Sequence, residues 1–297
     1  MEIKIKPRIK DRNFISGFQE ALKIIEQINQ HKDEDITLSF DNHAFVSPLF
    51  ITVLLIYLKS HNLKYKIEVG KNNYISTIYF EKEGLKPEDF PLHFNQKLSS
   101  YRNKTYLPII SFSTKLECND ERNSLVSAIE TILKNQVGLQ PNVLIGLKYL
   151  ISESVDNIVE HSESERAYIF AQYFKTKMFL DICIADNGIS LLGSYQKVNF
   201  ENISNHVEAL IAAQSGKSTK NLPDAENRGF GIKTSKNLLI NGLGGNYLMI
   251  SGEALYIKTS EVENFVKMPP TISWKGTIIA MRIPYQNTNF SYINYVE

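Results

Sequence analysis

The first six residues, Met1-Glu-Ile-Lys-Ile-Lys6, alternate charge with isoleucine, the period-two pattern of a half-buried strand. From Asn13 to about Gln30, Phe14, Phe18, Leu22, Ile25 and Ile28 recur at helical spacing, with Asp11 placed near the start as a cap. Asp35-Ile-Thr-Leu-Ser-Phe40 alternates as a second strand, and Pro48 opens an apolar helix that runs to Leu58. Lys64-Tyr-Lys-Ile-Glu-Val69 reads as a further strand, and Tyr74–Glu81 as a helix closed by Gly84. Strands separated by helices predict a small α/β domain over residues 1–95. Residues 85–110, from Lys-Pro-Glu-Asp-Phe-Pro to Leu107-Pro108, read as a connector.

The pattern beyond the connector differs. A helix is expected around Arg122–Lys134 and a long one from Asn142, a suitable cap, to about His161. Two adjacent strands follow, Ala167–Lys175 and Lys177–Ala185, then a helix over Glu201–Ala213 and a polar loop over Gln214–Asn227. A helix at Ile232–Asn241 precedes three closing strands, Tyr247–Ser251, Ala254–Thr259 and Thr277–Pro284. The expected fold is α/β in the broad sense, of α+β type. Residues 105–290 form a sandwich with a mixed, largely antiparallel sheet and helices on one face.

Composition sets bounds on this picture. At 297 residues the chain accommodates two cores, and 43% hydrophobic with 22% charged residues is ordinary for globular proteins. The net charge of +1 supplies no long-range field for nucleic acid or an anionic membrane. Two cysteines, Cys118 and Cys183, build neither a disulfide framework nor a metal cluster, and Cys183 sits in an apolar strand that would bury it. The longest apolar run, Pro48–Leu58, is short of the ~20 residues of a membrane helix, and the N-terminus reads as a strand rather than a signal peptide. A cytoplasmic protein is expected.

Candidate chemistry lies in the second half. On the long helix, Leu144, Leu147, Ile151, Val155 and Ile158 form one stripe, and Glu153, Asn157, Glu160 and His161 fall opposite. Glu153 and Asn157 are one turn apart and project together. A carboxamide oxygen can ligate Mg²⁺, and a carboxylate can orient or deprotonate a nucleophile. Taken alone, the same face reads as the solvated side of an amphipathic helix. Asp186-Asn-Gly188 ends an apolar strand, where an aspartate can accept a hydrogen bond from a base, or simply make a turn. Arg228-Gly229-Phe-Gly231 precedes a helix, where glycines and N-terminal N–H groups cradle phosphate. Ser215-Gly-Lys217-Ser-Thr219 imitates the end of a P-loop, but the first glycine of that motif would fall on Ile211, and a helix precedes it instead of a strand.

In their order and spacing these blocks resemble the ATP site of the GHKL superfamily, whose fold is the Bergerat sandwich. Glu153-x-x-x-Asn157 is similar to its N box, which implies Mg²⁺ held by Asn157 and a catalytic general base in Glu153. Asp186-x-Gly188 resembles the G1 box, with Ser190 where glycine is usual, and Arg228-Gly229-x-Gly231 resembles the G2 box. Lys275-Gly276-Thr277 resembles the last block, which implies Thr277 near the nucleotide. The loop 214–227 lies where the ATP lid falls, which implies that Lys217 and Lys220 reach the γ-phosphate on closure. Glu-Ser-Val-Asp-Asn-Ile-Val-Glu-His161 is closest to the serine kinases that act as anti-sigma factors; His161 would contact phosphate or finish the helix at its negative end. The first half resembles the STAS domain of anti-anti-sigma factors. Ser47 stands at the loop where that domain carries its phosphorylated serine, although an N-cap before Pro48 accounts for it equally.

The resemblance implies ATP and Mg²⁺ as cofactors and a STAS-like or sigma-like protein as partner or phosphoacceptor. A homodimer stays open, and neither nucleic acid nor membrane is expected. The expected activity is ATP-dependent phosphoryl transfer to a protein hydroxyl; the alternative is an ATP-driven conformational switch without kinase activity.

Overall fold

A computed structural model describes residues 1–6, 13–31, 34–42, 44–70, 74–90, 92–200, 202–217, 219, 231–285 and 291–295. It holds a small parallel sheet and a large antiparallel one, an α+β fold. β1 (Glu2–Ile5), β2 (Ile36–Phe40) and β3 (Tyr65–Val69) pair in parallel, in chain order. The crossovers are α1 (Ser16–Gln30) and α2 (Pro48–Ser60), which pack on each other. Ser47 caps α2, its Oγ accepting from Phe50 N at 3.2 Å, with Pro48 in the first turn. The helix expected over Tyr74–Glu81 divides into α3 (Tyr74–Thr77) and a 3-10 turn (Phe80–Lys82), and Gly84 follows at φ +103°.

The region read as a connector is structured. It contains α4 (Phe94–Ser99) and the start of β4 (Tyr106–Ser113), the edge strand of the large sheet. Pro108 hid this strand, and the register shift between Leu107 and Ile110 is where a sheet edge tolerates it. α5 (Asn119–Val137) ends on Gly138, whose φ of +70° is left-handed, a conformation that glycine adopts most readily. The next helix, α6 (Pro141–His161), begins with Pro141 in its first turn and Gln140 as the flanking residue, so Asn142 lies inside it rather than at the cap.

β5 (Arg166–Phe174) and β6 (Phe179–Asp186) follow, then α7 (Leu191–Lys197), which the sequence reading missed. α8 (His206–Gln214) starts five residues later than the expected Glu201, because Asn205 caps it by accepting from Glu208 N at 3.0 Å. α9 (Gly231–Asn237) runs into a π-helical turn at Leu238–Gly242. Four strands close the chain rather than three: β7 (Asn246–Gly252), β8 (Ala254–Lys258), the short exposed edge strand β9 (Glu263–Lys267) and β10 (Trp274–Pro284). Their order is β4-β5-β6-β10-β7-β8-β9, with antiparallel pairing at every step.

Within the second half the helices do cover one face. Leu147, Ile151, Val155 and Ile158 of α6 pack with Ile169, Ile182, Ile184 and Ile279 of the sheet. The opposite face is covered by the N-terminal unit: Tyr168, Phe170, Cys183, Ile250, Trp274 and Ile278 share one core with α1 and α2. α2 is therefore packed between two sheets, and every residue in it except Lys59 is buried. A helix apolar all round needs such a place. The same double cover explains why β5 and β6 are buried almost end to end instead of in alternation. Among the described residues no helix is long and apolar enough to cross a membrane.

Candidate functional site

A pocket opens between α6, α7 and the strands β6, β7 and β10. Asn157, His161, Asp186 and Thr277 line it with Ser190, Ser194, Met249, Ile232 and Ile279 among others, around a cavity of about 40 Å³. Four of the residues singled out in the sequence thus meet there, drawn from three separate blocks.

Asp186, the last residue of β6, is 1% exposed. Its Oδ1 accepts from Gly188 N at 2.8 Å and its Oδ2 from Thr277 N at 3.1 Å, which fixes the carboxyl at the floor of the pocket. Burial raises its pKa to about 7, and the two backbone donors only partly offset this. Two glycines make the arrangement possible. A Cβ on Gly188 would collide with the backbone of Ser162 and Ser164, and Gly276, at φ +80°, lies against the Asp186 backbone and carboxyl. Ser251 ties the wall together, its Oγ accepting from Leu191 N at 2.9 Å and donating to Gly276 O at 3.1 Å.

On α6, Asn157 Nδ2 donates to Glu153 O at 2.7 Å, back along its own helix. With the nitrogen so engaged, the carboxamide oxygen is the group presented for accepting or ligating. Glu153 lies one turn away, half-buried beside Gly231, where an added Cβ would strike its Oε2. The first helical residue of α9 is thus packed onto the Glu153–Asn157 face. Tyr149, one turn before Glu153, is raised to about 12 by burial and then by the Glu153 charge. His161, in the last turn of α6, has Nδ1 within 3.1 Å of Thr219 Oγ1, and Thr219 Oγ1 lies 3.4 Å from Ser194 Oγ.

Lys217 is not part of the pocket lining. Its side chain is exposed, and its carbonyl accepts from Tyr195 OH at 2.6 Å. Arg228, Gly229 and Lys220 lie outside the described residues. The helix α8 precedes Ser215, consistent with rejecting a P-loop there. The apolar lining and Ser194 were not singled out in the sequence. Ser190 was visible only as a departure from glycine, and its position has a structural cause: its Oγ caps α7 by accepting from Gly193 N at 3.3 Å. Ser47, 7% exposed, is occupied as the cap of α2.

Such a lining suits an aromatic base with a polar tail. Apolar Ile232, Met249 and Ile279 lie beside one buried acceptor, Asp186, and one carboxamide, Asn157. No cluster of three or more His, Cys, Asp or Glu among the described residues could hold a metal alone. A Mg²⁺ ion entering with a polyphosphate needs only one or two protein ligands, a demand that Asn157 fits. The chain matches no family model, no curated protein and no solved structure.

Proposed function

We propose that this pocket binds Mg-ATP and that the chain is a GHKL-type protein using ATP to phosphorylate a protein hydroxyl. The observation that carries the reading is the convergence of Asn157, Asp186 and Thr277 on one pocket, with Gly231 packed against Glu153. Nothing in the hydrophobic pattern requires three such distant blocks to meet around a shared opening.

Each residue then has a role set by its chemistry. Asp186, ionised, accepts from the exocyclic amino group of adenine, and Met249, Ile232 and Ile279 receive the faces of the base. Asn157 supplies its carboxamide oxygen to Mg²⁺. The bound nucleotide contributes a transferable phosphoryl group whose charge the metal neutralises. Glu153, one turn from Asn157, orients or deprotonates the attacking hydroxyl. His161 holds Thr219, a residue of the lid loop, close to the end of α6. Lys217 and Lys220 are assigned to the γ-phosphate on lid closure, and Arg228, Gly229 and Gly231 to the loop whose N–H groups cradle the phosphates. The acceptor belongs to a separate, regulator-like protein, since Ser47 is buried and used as a cap.

Incubation with γ-labelled ATP and Mg²⁺, alone and with host lysate, tests this. Label should appear on a protein and vanish with Glu153→Ala, while Asn157→Ala abolishes Mg-ATP binding. Free phosphate without labelled protein would replace the kinase by an ATP-driven switch. Normal binding and turnover in both variants would overturn the site.

A further inference from the structure

The segment leading into Thr277 is held by the N-terminal unit. Asn29 of α1 donates Nδ2 to Thr271 O at 3.1 Å, while its Oδ1 accepts from Tyr57 OH of α2 at 2.6 Å. Trp274, 2% exposed, donates Nε1 to Val53 O of α2 at 3.1 Å, and its ring centroid lies 6.0 Å from those of Phe18 and Tyr57. Ser60, the last residue of α2, brackets Lys275: its Oγ accepts from Lys275 N at 3.0 Å and donates to Lys275 O at 3.4 Å. These contacts link α1 and α2 to the backbone on either side of Trp274.

The next two residues belong to the pocket. Gly276 is buried against Asp186, and Thr277 N donates to Asp186 Oδ2 at 3.1 Å. The β10–β7 register shifts between Trp274 and Thr277, so the ladder is interrupted where the helices take hold. A bulge is where a strand can be re-aimed at small cost. The stretch is thus fixed on one side by α1 and α2 and presents its other side to Asp186.

We propose that α1 and α2 set the position of Gly276 and Thr277 against Asp186, with Ser60 and Trp274 as positioning residues, and that the N-terminal unit thereby controls nucleotide affinity. The affinity part rests on the Mg-ATP reading of the pocket; the mechanical part does not. Because coupling is reciprocal, nucleotide also tightens the hold of α1 and α2 on Thr271–Lys275.

The test uses the full chain and reads two quantities, hydrogen exchange of the Thr277 amide relative to that of Ile279, and Mg-ATP affinity. Ser60→Ala should speed Thr277 exchange about tenfold and weaken Mg-ATP about fivefold, within the usual range of site-to-site coupling. Ser60→Thr, which keeps the hydroxyl, should restore both. Asn29→Ala, at a partly exposed position, should act in the same direction and serves if Ser60→Ala does not fold. Unchanged Thr277 exchange in Ser60→Ala and Asn29→Ala overturns the proposal. Faster exchange with unaltered affinity in a chain that binds Mg-ATP overturns its control of the nucleotide. If the unmodified chain binds no ATP, the nucleotide reading fails, and the exchange result still decides whether α2 positions Thr277.

Discussion

Asp186 is an acid in a place that suits its neutral form, and that has a measurable consequence. Its folded pKa of about 7 lies above the ordinary 3.8. Well below pH 4 the carboxyl is protonated in both folded and unfolded chains and contributes nothing to pH dependence. Between about pH 4 and 7 the unfolded chain releases a proton that the folded chain keeps, so stability falls as pH rises, by at most about 4 kcal/mol. Asp186→Asn should flatten that fall, which urea unfolding at several pH values would read. An adenine amino donor favours the ionised form, so Mg-ATP affinity in the unmodified chain should increase as pH rises through 7, and the Asn variant should lose that dependence. The glycines differ in the same local way. Gly188→Ala meets backbone and should cost about 1–3 kcal/mol in thermal unfolding, whereas Gly231→Ala meets only the end of Glu153 and should leave stability nearly intact while lowering turnover. Asp186 and Asn157 were legible as short motifs. The need for glycine at position 276 was not, because its neighbour Asp186 is remote in sequence.

At the scale of elements, helices with one apolar stripe are legible in the sequence, and so is the uniformly apolar α2, expected over Pro48–Leu58 and found over Pro48–Ser60. α1 buries Phe18, Ala21, Ile25 and Ile28, and α6 buries the stripe read from its wheel. α2 has no polar side to orient it, so its sequence announces a helix but not its neighbours. Leu55→Ala, at a position 1% exposed between two sheets, should cost about 2–5 kcal/mol by chemical denaturation. The strands missed were edges: β4 carries Pro108, and β9 (Glu-Asn-Phe-Val-Lys) is only five residues long, almost wholly exposed and without a period-two alternation. Across β6 and β10, directly opposed Asp181 and Arg282 form a buried bidentate pair at 2.7 and 2.8 Å, with the guanidinium 3.7 Å from the Phe179 ring centroid. Arg282→Ala strands a buried carboxylate and should destabilise by about 3–5 kcal/mol, while an apolar replacement of both partners should cost much less. Neither residue had been singled out, since a charge within an apolar strand shows its partner only once the register is known.

For the whole molecule, the two units share a core that neither completes alone. Residues 105–290 produced alone would present Tyr168, Phe170, Ile250, Trp274 and Ile278 to water, a continuous apolar face. That fragment should aggregate, and co-production with residues 1–100 should return it to the soluble fraction, as sedimentation would show. The hydrophobic periods determined most of the helices and strands, and the α+β class, because those depend on neighbours within a few residues; α4, α7 and the edge strands β4 and β9 escaped them. The short polar blocks determined where chemistry was to be sought. Only the tertiary structure decided that α2 lies between the sheets, that Gly276 closes on Asp186, and that α1 and α2 hold the strand lining the pocket. Each of these joins residues far apart in the chain, and such contacts depend on how whole faces fit rather than on any local pattern.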